Sequence, residues 1–311
     1  MKLHRYFKIT PLLLLLICTV NGISQDTDNS DNDLTTKNTS KKGFRLGGYI
    51  GSYFANNYTA GIYDGYGIDI NGNKNDWTNS LMNQKINVQY GYQGAPGQID
   101  QIGQALKVDP SGQPWTFGPS DMPQNMRYTP AFLVGLNTIY SVDGKNSIIM
   151  NLDVEKLIIG GNFTIVTPPP VGSTQINNSI QTFPITGGEG RMLMQFGYQR
   201  VLGNNPKMNF FIEGGLMATI TEFTSNQILI NSLRIDLISY TNSYLYPNEL
   251  PFKKPIGIGF GAFAGFGATI TINPKYTIQL VYNPTYEKIN IGTSPALKLQ
   301  NAIGIRAYYN F

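Results

Sequence analysis

From residue 43 onward, apolar and polar side chains alternate. Ile148, Met150, Leu152 and Val154 fall on one face of a strand, and Ile149, Asn151, Asp153 and Glu155 on the other. Met192, Met194, Phe196 and Tyr198 oppose Arg191, Gln195, Gly197 and Gln199. Between Ile256 and Ile272, apolar residues alternate with Gly257, Gly259, Gly261, Gly265, Gly267, Thr269 and Thr271. A period of two places successive side chains on opposite faces of a β-strand. No 3.6-residue stripe stands out. No run after residue 24 is long and apolar enough for a membrane helix.

The pattern predicts eight strands, at about 43–58, 128–142, 146–167, 190–202, 207–222, 255–272, 275–291 and 297–311. Each reaches the roughly 9–11 residues of a membrane strand, where a soluble strand averages roughly 5–6. Short connections rich in turn residues (Asp143 to Lys145, Gly203 to Pro206, Asn273 and Pro274) alternate with longer ones at about 59–127, 168–189, 223–254 and 292–296. Outer-membrane barrels sort their connections this way, with long external loops and short periplasmic turns. A soluble sandwich has no reason to. The predicted fold is therefore all-β, a single up-and-down antiparallel transmembrane β-barrel of eight strands. Gln227 to Tyr240 is also strand-like. It fits a hairpin arm inside an external loop better than a further strand pair, which would make ten.

Composition sharpens this picture. Charged residues are 14% of the chain, below the roughly 25% of soluble domains. Lys2, Arg5 and Lys8 precede the apolar run Pro11 to Val20, and Gly22 and Ser24 precede Gln25. Residues 1–24 thus read as a cleaved signal peptide. A short anchor fits less well, as does lipid attachment at Cys18, since bulky Ile17 stands where a small residue is needed. Residues 25–42 are polar and read as a flexible periplasmic leader. Removing residues 1–24 leaves 20 basic against 19 acidic residues, so the excess basicity belongs to the export signal and says nothing about nucleic acid. It also removes the one Cys and the one His, His4.

Signal peptide, alternating strands, sorted connections and a terminal aromatic together resemble the eight-stranded outer-membrane barrels of Gram-negative bacteria, the OmpA/OmpX-type class, over residues 43–311. Gln25 as first mature residue resembles the cleavage habit of the Bacteroidota. In that class the last strand is read by the barrel-assembly machinery. The resemblance implies that Tyr309 and Phe311 are the assembly signal and that Ile303, Ile305 and Ala307 face lipid with them. Barrel proteases and acyltransferases of similar architecture use a catalytic His, which the mature chain lacks. No Walker loop, dinucleotide fingerprint or zinc pattern occurs, and the aspartates of the first loop lack EF-hand spacing. No catalytic residue, cofactor or metal is expected.

The interior of an eight-stranded barrel is just wide enough for side chains to fill, and inward charges must then pair. Parity turns Asp153, Glu155, Glu213 and Arg306 inward at mid-height, with Glu287, Arg191 and Lys298 nearer the outer end and Arg45 also inward. We expect two layers of ion pairs that plug the lumen, with a gate of alternative pairs as the functional variant. The inward glycines of 255–272 are expected to make room for Tyr49 and Tyr53, or else to line a ligand cavity. Both tryptophans, Trp77 and Trp115, lie in the first loop, about 59–127. Exposed tryptophans anchor interfaces, so this loop is the expected site for a protein partner. They could equally be loop core, or mark the headgroup belt. The functional expectation is a non-enzymatic integral barrel of the outer membrane, in contact with its lipid, acting as an accessory subunit of an envelope complex. The alternatives are a narrow pore for small solutes and a surface adhesin.

Overall fold

The alternation folds as strands. The computed structural model describes residues 43–68, 73–93, 97–109, 114–169, 172, 174, 177–238, 256–291 and 296–311. The signal peptide, its cut before Gln25 and the leader lie outside the described residues.

The strands are β1 Gly43–Phe54, β2 Arg127–Tyr128, β3 Ala131–Ser141, β4 Asn146–Thr167, β5 Ser179–Leu202, β6 Met208–Ile230, β7 Leu233–Asp236, β8 Ile256–Asn273, β9 Tyr276–Lys288 and β10 Leu297–Asn310. Eight of them form a closed antiparallel ring in the order β1-β3-β4-β5-β6-β8-β9-β10, and β10 returns to β1. The closing ladder pairs Leu46 with Tyr309, Tyr49 with Arg306 and Phe54 with Asn301. β2 adds a short rung on β4. β7 folds back on β6 through Asn231, whose φ of 53° is the left-handed geometry of a tight turn. The stretch from Gln227 is thus a hairpin arm within a loop, and the ring has eight staves.

The short connections are side-chain-braced turns. Asp143 Oδ1 accepts from the backbone N–H groups of Lys145 and Asn146 at 2.8 and 2.7 Å. Asn273 Oδ1 accepts from those of Lys275 and Tyr276, both at 2.9 Å. Such Asx turns satisfy the backbone where a ladder ends.

The outward face is apolar and exposed around the ring, with Ile50, Phe132, Val134, Phe196, Leu216, Phe266, Leu280 and Ile305 among its members. At the turn end it carries aromatics. Tyr276 and Tyr309 have ring centroids 5.6 Å apart, Tyr309 and Phe311 5.0 Å, and Phe44 and Phe311 6.0 Å.

The staves differ in height. β4, β5 and β6 have 22, 24 and 23 residues, while β1 and β3 have 12 and 11. β5 begins 11 residues before the predicted start at 190, and β6 runs past the predicted end at 222. Pro184, Gly187, Gly188 and Gly190 interrupt the alternation of β5, so periodicity alone starts the strand too late along the chain. Its partners keep it extended, and a bulge between Gly188 and Glu189 absorbs the irregularity. The tall wall carries one hydrophobic core at the loop end, around Ile159, Phe163, Ile185 and Phe223. A second lies in the lumen, around Tyr53, Leu193, Phe211 and Phe263.

The inward glycines of β8 do not make room for Tyr49 and Tyr53. A Cβ on Gly257 would stand 1.6 Å from Asn290 O, and one on Gly259 1.9 Å from Lys288 O. These glycines admit the neighbouring backbone, which is how a strand bends tightly. Tyr49 instead lies across Gly304, where a Cβ would meet its Cε2 at 2.5 Å.

Candidate functional site: the barrel lumen and its lid

Two charged layers occupy the lumen. In the one nearer the turn end, Arg306 Nη1 donates to Glu213 Oε2 at 2.9 Å, and both side chains are fully buried. Gln199 Nε2 donates to the same oxygen at 3.0 Å. The guanidinium stands 5.3 Å from the Tyr49 ring centroid. Asp153 is inward on β4 but does not bond Arg306. It lies over Gly135, where a Cβ would meet Asp153 Oδ1 at 1.8 Å, and that oxygen has no partner.

The outer layer is a chain of hydrogen bonds. Arg191 Nε donates to Glu189 Oε1 at 2.5 Å, and Arg191 Nη1 to the Tyr53 hydroxyl at 3.1 Å. Tyr53 donates to Glu287 Oε1 at 3.1 Å, which also accepts from Thr285 Oγ1 at 3.2 Å. Thr219 Oγ1 donates to the other Glu287 oxygen. Glu155 faces Arg191 in the β4–β5 ladder, yet neither of its buried oxygens has a hydrogen-bond partner.

Lys298 does not join this layer. It faces Glu287 in the β9–β10 ladder but sits at the rim, half-buried, 4.6 Å over the Tyr58 ring. At the strand's end its ammonium keeps its hydration, which burial beside an already satisfied carboxylate would strip away. Arg45, at the turn end, donates to Ser141 Oγ at 3.3 Å.

The first loop is a folded lid. Asn57–Tyr63 is a 3₁₀-helix whose cap, Asn56 Oδ1, accepts from Tyr58 N at 3.0 Å. Leu81–Asn83 begins on Ser80 as N-cap and widens into a π-helical turn over Gln84–Gln89. Gln101–Leu106 is an α-helix capped by Asp100. Met82, Ile86, Ile102 and Leu106 bury their side chains against the tall wall.

Trp115 is part of this core, 1% exposed. Its Nε1 donates to Asp100 Oδ2 at 2.8 Å, and its ring meets Tyr92 edge-on at 5.1 Å. Trp77 is half-buried, its ring 5.4 Å from Phe117. Trp115 is therefore a lid residue and is not offered to a partner.

Lid and lumen meet at Glu189. Its Oε2 accepts from the Tyr63 hydroxyl at 3.0 Å and the Tyr128 hydroxyl at 2.7 Å, while Oε1 holds Arg191. Tyr128 also shares a 3.0 Å hydrogen bond with Thr59 of the lid. One carboxylate thus fastens the lid to the outer charged layer. Elsewhere in the lid, Asp64 bonds Lys74 Nζ and Tyr66 N at 2.5 and 3.1 Å. Burial raises its carboxyl above the ordinary value, partly offset by those two donors.

Among solved structures, the chain is similar to the outer membrane protein OprG from Pseudomonas aeruginosa, at 9% identity and a TM-score of 0.36, covering 88% of this chain and 97% of that one. No protein-family model and no curated protein sequence matches it. The barrel is established by its own closed ladder.

Sequence reasoning missed Glu189 and the tyrosines that converge on it. Glu189 shares the inward parity of Arg191 two residues along, but the predicted strand started one residue past it. Carrying the alternation back across Gly190 finds it.

Proposed function

We propose that the protein is a non-enzymatic integral barrel of a Gram-negative outer membrane that forms a narrow pore for small polar solutes, shut in this conformation by the lumen ion pairs and the lid. The exposed apolar belt supports the membrane setting. β10 rises ten residues from Tyr309 to Leu299, about 33 Å of strand at ~3.3 Å each, which a tilt near 40° reduces to about 25 Å. That matches the apolar band of outer-membrane barrels. Tyr276, Tyr309 and Phe311 supply its aromatic girdle.

One observation carries the pore reading. The middle of the lumen is filled with polar groups whose bonds are incomplete. Asn137 is fully buried with neither side-chain atom partnered, and Asn151, Asp153, Glu155 and Asn283 leave oxygens over. A barrel that only had to be sealed would be at least as stable with apolar side chains there. Polar groups left over at mid-lumen serve a polar visitor. With Trp115 in the lid core, the two indoles no longer favour the accessory-subunit reading over the pore, and no observation carries an adhesin.

Swelling of proteoliposomes in isosmotic small polar solutes tests this. Swelling should occur with glycine-sized solutes and fail with tetrasaccharides. Liposomes that swell no faster than protein-free ones would overturn the pore.

A further inference from the structure

Between the two charged layers lies a girdle of carboxamides. Asn151 Nδ2 and Asn283 Nδ2 both donate to Gln195 Oε1, at 3.0 and 3.1 Å. The two side chains meet at one acceptor and their own oxygens are left over. Asn137 stands opposite Asn151 in the β3–β4 ladder with its whole carboxamide unpartnered. Two residues along the inward face of β4, Asp153 leaves Oδ1 over. Two further on, Glu155 leaves both oxygens over. All six side chains, Gln195 included, are at least 95% buried.

Buried acids outnumber buried bases. Among the described residues the lumen buries five carboxyl side chains, on Asp153, Glu155, Glu189, Glu213 and Glu287, against the two guanidinium groups of Arg191 and Arg306. A buried charge without compensation is very costly. The surplus lies with Asp153 and Glu155, beside the unpartnered amide oxygens.

These donors are hard oxygens, suited to alkali and alkaline-earth cations and poorly suited to transition metals. No cluster of three His, Cys, Asp or Glu side chains able to hold a metal occurs among the described residues. Mostly neutral oxygens with an acid at hand make a site that binds a monovalent ion and releases it, where a calcium cage gathers several carboxylates.

We infer that the mid-lumen is a binding site for a monovalent alkali cation, held by Asp153 and the carboxamide oxygens of Asn137, Asn151 and Asn283, with Glu155 adding negative charge. The site rests on the pore reading for its use, since a bound cation there sets the selectivity of permeation. Binding itself needs no conduction.

The test uses the full chain in detergent. Thermal unfolding is followed in NaCl, KCl and N-methylglucamine chloride at equal ionic strength. The midpoint should be higher in an alkali salt, and Asn137→Leu, which leaves no orphan charge, should abolish the difference. If that variant does not assemble, the wild-type salt series decides alone. Equal midpoints in all three salts would overturn the site. So would stabilisation by CaCl₂ alone, or stabilisation that follows pH and ignores the salt. In a KCl gradient across a planar bilayer, the reversal potential should move toward the K⁺ equilibrium potential. A barrel that never conducts but keeps the alkali-specific stabilisation refutes the pore and leaves the site standing. A barrel that conducts without cation preference or salt-specific stabilisation refutes the site and leaves the pore.

Discussion

Replacing Glu189 with Ala separates the lid from the lumen. Three donors converge on this carboxylate, the Tyr63 and Tyr128 hydroxyls and Arg191 Nε, at 3.0, 2.7 and 2.5 Å. Breaking a buried ion pair from one side costs about 3–5 kcal/mol. Arg191 keeps Tyr53 and faces Glu155, so the barrel should lose near the low end, about 3 kcal/mol. The lid feels a smaller part, the bond from Tyr63 to a charged acceptor, worth about 2 kcal/mol. That corresponds to about 30-fold in a local opening equilibrium. Native-state amide exchange in micelles reads both quantities. Amides protected by the packing of residues 57–63 should exchange about 30-fold faster in Glu189→Ala, and those of β10, which report unfolding of the barrel, about 150-fold faster. Adding Arg191→Met should restore part of the barrel stability, because the guanidinium orphaned by the first change is gone, without restoring lid protection. Tyr63→Phe should loosen the lid alone. Lid exchange within about twofold of wild type in Glu189→Ala would refute the latch.

Asp64 makes the lid pH-dependent. Its raised carboxyl binds a proton more tightly folded than unfolded, so this contribution is fully present below the unfolded value of 3.8 and is lost as pH rises through the folded one. Lid amide exchange, corrected for intrinsic rates, should slow as pH falls toward the unfolded value of 3.8, and Asp64→Asn should flatten that slope. Gly257→Ala should prevent assembly, since its Cβ would stand 1.6 Å from the Asn290 carbonyl oxygen and only backbone movement can relieve that. Heat-modifiable migration on gels reports it, and a normally folded band would contradict the close approach. Removing Phe311 should lower the amount of barrel in the outer membrane without changing the stability of the refolded protein. Unchanged surface levels would exclude it as an assembly signal.

The staves were legible because a barrel wall has two chemically different faces, and Ile148 to Glu155 shows both. Strand height was not legible where Pro184, Gly187 and Gly188 break the alternation, and Glu189 disappeared with it. Parity says that Arg306 points inward but not across to which wall. Its choice of Glu213 over Asp153 depends on the stagger of the closed ring, which no single strand encodes. The lid was hidden for another reason. Its helices are three to seven residues long, too short for a 3.6-residue stripe. Asp100 and Trp115 gave no local sign of their bond.

The decisive measurement on the pore is single-channel recording of the purified protein in planar bilayers, wild type beside Glu189→Ala. The pore reading predicts rare, small, discrete openings in wild type and more frequent openings of the same size once the latch is cut. A silent bilayer with both proteins, under conditions where insertion is verified, would contradict it.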